Sequence, residues 1–304
     1  MQERIFWNVT GGRVLGPAPF FVVGIVNATP DSFYDGGRHD APEAAVAHGR
    51  RLLAEGAAVL DVGGESTRPG AEAVCAEREM DRVLPVVRGL AGHIGHGQPP
   101  DAAPRAVISV DTFKARVAAA ALDAGAAVVN DISACRFDPG LLDVVGQYKP
   151  GYVLMHSLGR PGTMQRDPRY ADVVHDIVAF FEERLRALTG AGLPEENIVI
   201  DPGIGFGKTL EHNLDILRNI EAFGVLGLPL YVGLSNKSMF QQLLGLPVAG
   251  RGGATQAAVA VLASRGVRIH RVHDVAATVQ TLTVAEALRA RRPGPKAPEA
   301  PSRD

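Results

Sequence analysis

The chain has 304 residues, 46% of them hydrophobic, and its 31 basic and 33 acidic side chains leave a net charge of −2. That length accommodates one large α/β domain with a substantial core, and the charge balance argues against nucleic acid or an anionic membrane as a general partner. Two cysteines, Cys75 and Cys135, with no C-x-x-C spacing argue against a disulfide framework or a structural zinc site and suit reduced thiols in the cytoplasm.

The N-terminal "MQERIFWNVTGG" carries charged and polar groups early and lacks the apolar core of a secretion signal. No apolar run is long enough to span a membrane. The stretch "IFWNVTGGRVLG" reads as a β-hairpin turning at Thr10–Gly12. Eight apolar, β-rich runs follow in order: "FFVVGIVN", "AAVLDVGGES", "RAVISVDT", "AAVVNDIS", "GYVLMHS", "NIVIDPG", "LPLYVGLS" and "VRIHRVHD". Amphipathic or Ala-rich stretches such as "PEAAVAHGRRLLAEGA" and "KARVAAAALDAGA" alternate with them, the pattern of βαβ units on a parallel sheet. Several of these end at Gly just before the next strand, which suits a left-handed helix cap. Eight units predict a closed (β/α)8 TIM barrel, with the hairpin covering its N-terminal end. "GHIGHGQPPDAAPRA" reads as a long loop before the third barrel strand. Residues 1–290 then form one domain, and the Pro-rich, charged tail over residues 291–304 is expected to be disordered.

Nearly every barrel run finishes in polar residues: Asn27, Glu65 to Thr67, Asp111, Asn130 with Asp131, His156, Asp201, Ser235, then Arg271 and His273. One polar strand end is ambiguous, because Asp and Asn also cap the helix that follows. The whole set converges on the C-terminal mouth, where barrel active sites sit. Asp111, Asn130 and Asp201 supply acceptors and an amide suited to the N–H edge of a flat heterocycle. Asn130 and Asp131 are adjacent, so only one faces the lumen, and the expectation is Asn130. Lys237, Arg271 and His273 follow the last two strands, where barrels often bind phosphate, and their charges suit a diphosphate. Two polar loops, "NATPDSFYDGG" and "ESTRPGAEAV", are expected to be mobile lids. Asn27 with Asp35 offers the oxygen donors that Mg2+ takes. "DPGIGFGKT", residues 201–209, approaches a nucleotide-binding loop but has Pro202 in place of the first glycine. It reads instead as a tight strand-to-helix turn with Asp201 facing a ligand. Lys208 is left either reaching the mouth or lying on the surface.

The stretches "GIVNATPDSFYDGG", "LDVGGESTRPGA", "ISVDTFKARVA", "VVNDIS", "DPGIGFGKTLEHNL" and "RVHD", in this order, resemble the dihydropteroate synthase family of the folate pathway, over about residues 20–290. The resemblance implies an enzyme that joins p-aminobenzoate to a pterin methyl diphosphate and releases diphosphate. It implies that Asp111, Asn130, Asp201 and Lys237 hold the pterin, and that Arg271 lies over its face and touches diphosphate with His273. It further implies that Asn27 meets the diphosphate and Mg2+ with help from Asp35, and that Arg68 holds the leaving diphosphate. Phe33, Pro69, the stem of Lys237 and Ser238 are implied for the p-aminobenzoate pocket, with Thr67 also among the substrate-binding residues. A homodimer through the late helices "GATQAAVAVLASRGV" and "VAATVQTLTVAEAL" is implied too, although plain packing on the barrel accounts for them as well. No nucleophilic Ser or Cys with a base is visible. None is needed if the C–O bond breaks first to a resonance-stabilised cation. Two departures from the family pattern stand out: "SNKS", with Asn236 where the family has arginine, and "MHSLGRPGTMQ" after the fifth barrel strand. Two alternatives share the pterin end: a pterin-dependent corrinoid methyltransferase, and a paralogue that binds pterin without turnover.

Overall fold

The computed structural model describes residues 4–29, 41–66, 73–96 and 106–289. Strands β1 (Ile5–Val9) and β2 (Arg13–Ala18) form an antiparallel hairpin that turns at Thr10–Gly12, as predicted. Eight parallel strands follow: β3 (Phe21–Asn27), β4 (Val59–Gly63), β5 (Val107–Asp111), β6 (Val128–Asp131), β7 (Gly151–Met155), β8 (Ile198–Asp201), β9 (Tyr231–Gly233) and β10 (Ile269–Val272). Each coincides with one of the apolar runs. Their order is β8-β7-β6-β5-β4-β3-β10-β9, and a parallel bridge between Ile200 and Leu230 joins the two ends of the sheet into a barrel.

Helices α1 (Ala41–Ala54), α2 (Ala76–His96), α3 (Ala115–Asp123), α4 (Leu141–Tyr148), α5 (Val173–Gly190), α6 (Leu210–Arg218), α7 (Met239–Leu244), α8 (Gly252–Ser264) and α9 (Val275–Arg289) surround the strands. Helix α2 continues through the start of the stretch expected to be a loop, as far as His96. Residues 97–105 of that stretch and the tail lie outside the described residues. No helix among the described residues is long and apolar enough to cross a membrane.

The strands read as nearly continuous apolar runs because both faces are buried. One face, including Leu60, Val62, Val110, Val129, Leu154 and Ile200, packs on the helices against Leu52, Leu90, Val117 and Phe181. The other face fills the barrel floor with Phe21, Val23, Val59, Val107, Val128, Val153, Val199, Tyr231 and Ile269. The hairpin closes that floor with Trp7, Val9 and Leu15, and the Trp7 indole N–H donates to the Asn197 carbonyl at 2.7 Å. The N-terminal end is thus sealed by apolar packing, and the chain's polar inward residues are displaced toward the opposite mouth.

Candidate active site

Strand alternation sends every second residue inward. Above the apolar floor, this brings Asp111, Asn130, Met155, Asp201 and Arg271 to one cavity, with Phe206 and Lys237 on its wall. The cavity is small, about 30 Å³, and opens to solvent at the mouth. Five residues expected at the heterocycle end therefore meet around one pocket, although they come from five different strands and loops.

Arg271 lies within β10 rather than after it. Its Nε donates to Asp61 Oδ2 at 2.6 Å and its Nη2 to Asp111 Oδ2 at 2.7 Å. Asn130 Nδ2 donates to the same Asp61 oxygen at 2.9 Å, which leaves the Asn130 amide oxygen as an acceptor. Asp61 is fully buried and was not singled out from the sequence; the available signal was a lone carboxylate inside the apolar run "VLDVG". Burial works against the charge on Arg271, but Asp61 and Asp111 outweigh it and hold the guanidinium above its usual value. One guanidinium cannot neutralise two carboxylates. Burial, opposed by Arg271 and reinforced by Asp61, accordingly pushes Asp111 up.

Asp201 accepts the Gly203 N–H at 2.8 Å through Oδ1. Burial raises it to about 6, against the lowering effects of that hydrogen bond and of Lys237, Lys208 and Arg271. The Lys237 ammonium sits 4.4 Å from the centre of the Phe206 ring, and burial draws it down to about 8, opposed by Asp201. The pocket thus sets Asp111 and Asp201, with Asp61 behind them, against Arg271 and Lys237, with Lys208 behind the turn after β8. Such a site favours a ligand edge rich in N–H donors and a charge that turns positive.

The rim above is exposed. His273 lies two residues along β10's path from Arg271, and its Nδ1 is 2.9 Å from Ser235 Oγ. Asn27 is exposed at the end of β3. Ser238 is exposed at the start of α7, where its hydroxyl makes no capping bond. Phe33, Asp35, Thr67, Arg68 and Pro69 lie outside the described residues. Among the described residues no group of three His, Cys, Asp or Glu side chains is arranged to hold a metal.

Asp131 faces the helices, as expected from alternation with the lumen-facing Asn130: its oxygens accept from Ser133 N, Cys135 N and the Tyr152 hydroxyl at 2.6–2.7 Å. Two expectations are corrected, at His156 and Lys208. His156 also turns outward, since Met155 takes the lumen, and its ring meets Phe180 edge-on at 4.9 Å. Lys208 neither reaches the mouth nor lies on the surface; it is buried beside His156 Nδ1 at 2.9 Å. β9 ends at Gly233, and Asn236 sits beyond it in a turn at φ 58°.

The glycines of "DPGIGFGKT" serve the turn. At Gly203 (φ +69°) a Cβ would lie 2.0 Å from the His156 carbonyl oxygen, and at Gly207 (φ +68°) it would lie 2.5 Å from Leu158 Cβ. Backbone is packed against the end of β7 there, so only glycine fits. Their purpose is this close approach, and no phosphate cradle is needed to explain them.

The chain matches the family model described as "Pterin binding enzyme" over residues 23–273. It is 41% identical over 250 residues to a dihydropteroate synthase of Escherichia coli, covering 82% of this chain and 85% of the relative. It also resembles the solved dihydropteroate synthase of Xanthomonas albilineans with 4-aminobenzoic acid, with a TM-score of 0.86 and 43% identity over 95% of this chain and 100% of that one. The same enzyme in complex with 7,8-dihydropteroate aligns at a TM-score of 0.81 and 41% identity, over 93% and 100% of the two chains.

Proposed function

The chain belongs to the pterin-binding enzyme family, and on that premise we propose that its barrel mouth carries out the dihydropteroate synthase reaction. It condenses 6-hydroxymethyl-7,8-dihydropterin diphosphate with p-aminobenzoate to give 7,8-dihydropteroate and diphosphate, a step of folate biosynthesis. The observation that carries this reading is the convergence of Asp111, Asn130, Asp201, Lys237 and Arg271 on one pocket. The relatives named for this activity, one with 4-aminobenzoic acid and one with 7,8-dihydropteroate, support it.

In this reading Asp201 and Asp111 accept from the N–H groups of the pterin, the Asn130 amide oxygen adds a further acceptor, and the Lys237 ammonium donates to a ring acceptor. The C–O bond to diphosphate breaks, and its electron pair leaves with the diphosphate oxygen. The pterin ring spreads the positive charge left on the methylene carbon. The carboxylates at Asp111 and Asp201 favour that cation, and preorganised charges supply this stabilisation without reorganising. The aniline nitrogen of p-aminobenzoate then forms the C–N bond and releases its proton. Arg271, His273, Asn27 and Arg68 receive the leaving diphosphate, while Phe33, Pro69, Thr67, the stem of Lys237 and Ser238 receive p-aminobenzoate. The hard oxygen donor that Asn27 exposes at the rim fits Mg2+, which Asn27, Asp35 and the diphosphate oxygens would hold, and bound there it would offset the charge of the leaving group.

The two cysteines are free thiols, which accords with a cytoplasmic enzyme. Self-association uses α8 and α9, whose outer surface exposes Val284 and Leu288. The deciding assay combines the protein with pterin methyl diphosphate, p-aminobenzoate and Mg2+. Diphosphate and dihydropteroate are expected together. Pterin binding without either product would identify a non-catalytic paralogue, and methyl transfer to a corrinoid protein would identify the methyltransferase alternative.

A further inference from the structure

Lys208 is a buried cation that the reaction above does not use, since only 4% of it is exposed. Its Nζ lies 2.9 Å from His156 Nδ1, 3.0 Å from the Gly203 carbonyl oxygen and 3.1 Å from that of Phe206. The His156 carbonyl is a more distant fourth neighbour at 3.4 Å. Two of these contacts are N–H···O bonds to carbonyls, and the third pairs Nζ with His156 Nδ1, whose donor or acceptor role follows the tautomer. Burial draws Lys208 down to about 7, opposed by Asp201. Burial, with Lys208 and Arg136 adding to it, drives His156 down to about 2.

The three partners belong to two pieces of chain. His156 immediately follows β7, whereas Gly203 and Phe206 belong to the turn after β8. Gly203 and Phe206 also line the pocket, and the Phe206 ring lies beneath the Lys237 ammonium. We infer that Lys208 is a positioning residue: its buried Nζ ties the 203–206 wall to the end of β7 and so sets where the Phe206 ring meets Lys237. This rests on the proposed function for its ligand, but the tie itself is a property of the free protein. A buried cation is costly, and an apolar side chain of equal volume often serves stability as well. Holding two carbonyls of a ligand-facing turn against the end of β7 gives this buried side chain a use that packing alone would not require.

The test is a double-mutant cycle with calorimetric Kd for 6-hydroxymethylpterin, using the parent, Lys208→Met, Phe206→Leu and the double variant. Lys208→Met should weaken binding roughly tenfold in the parent and less than about twofold in the Phe206→Leu background, because the tie acts through that ring. A purely structural role would lower Tm and weaken binding equally in both backgrounds, and that additivity would overturn the inference. A crystal structure of Lys208→Met gives an independent readout without ligand: a displaced 203–206 backbone is expected, and an unmoved wall overturns the tie even if the parent proves to bind no pterin. If the Met variant does not fold, Lys208→Arg is put through the same cycle and the same crystallography, since a planar guanidinium cannot reproduce the three contacts.

Discussion

Asp201 uses one carboxylate oxygen on the Gly203 amide and leaves the other to the pocket it lines. Its value of about 6, against an ordinary 3.8, fixes the direction of two pH effects. Between those values the folded protein holds a proton that the unfolded chain has released. The contribution to stability is therefore full below 3.8 and is lost as pH rises through about 6. Pterin N–H donors need the carboxylate, so affinity runs the other way and should rise through about pH 6 before levelling. Calorimetry with 6-hydroxymethylpterin across that range checks it. In Asp201→Asn the component centred near 6 should vanish, and affinity should fall by about 2 kcal/mol, because an amide N–H2 then faces donors. Asn236 calls for a different argument. At φ 58° it occupies the left-handed region, where asparagine is tolerated and most side chains cost about 1 kcal/mol. Its carbonyl accepts from Arg251 Nη1 at 2.9 Å, which holds the turn in that conformation. Asn236→Gly should leave Tm nearly unchanged. Asn236→Arg should lower Tm by roughly 2 °C while reducing the apparent KM for the pterin diphosphate by at most about tenfold, more at low salt than at high. A parent without turnover that Asn236→Arg restores would identify an inactive paralogue.

Among the elements, the hairpin of β1 and β2 and the turn after β8 do opposite jobs at opposite ends of the barrel. The hairpin supplies Trp7, Val9 and Leu15 to a floor with no polar ligand, so its effect is on stability. Trp7 is 1% exposed and its N–H is bonded to Asn197 O. Trp7→Ala should cost about 3–5 kcal/mol in urea unfolding, whereas Trp7→Phe should cost roughly 1–3 kcal/mol, the range for a buried carbonyl left without its donor. Neither should move the pterin Kd of the folded fraction, because the polar layer lies beyond the apolar one. A parallel loss of pterin affinity would show that the floor and the mouth are coupled. The turn after β8 sets Ile204 into the helix-facing core and is further held by Lys208, by glycine-only backbone and by Asn213, whose Oδ1 accepts from Gly205 N at 2.8 Å.

For the molecule as a whole, α8 and α9 pack side by side and leave an apolar surface on which Val284 and Leu288, exposed by 58 and 82%, lie beside Ala260 and Ala285. Sedimentation should find a dimer that Val284→Glu with Leu288→Glu converts to monomer, with the barrel still folded; a monomeric parent would overturn the assembly. Much of this architecture was legible in the chain alone. Eight apolar runs fixed the strand count, and polar residues at their ends located the mouth. Alternation, a local rule with period two, chose Asn130 over Asp131. The resemblance assigned roles to residues that then met around one pocket. Asp61 and Lys208 were not legible, and the direction of His156 was misread. Asp61 acquires its role from Arg271, 210 residues away, once β10 lies beside β3 and barrel closure sets both carboxylates around one guanidinium. Lys208 is buried only because two carbonyls of its own turn and the imidazole after β7 converge on it. Local pattern determines which way a residue points along its own strand or helix. Whether a charge there is paired, buried or free depends on which distant groups the closed barrel places within a few ångströms, and only the tertiary structure decided that.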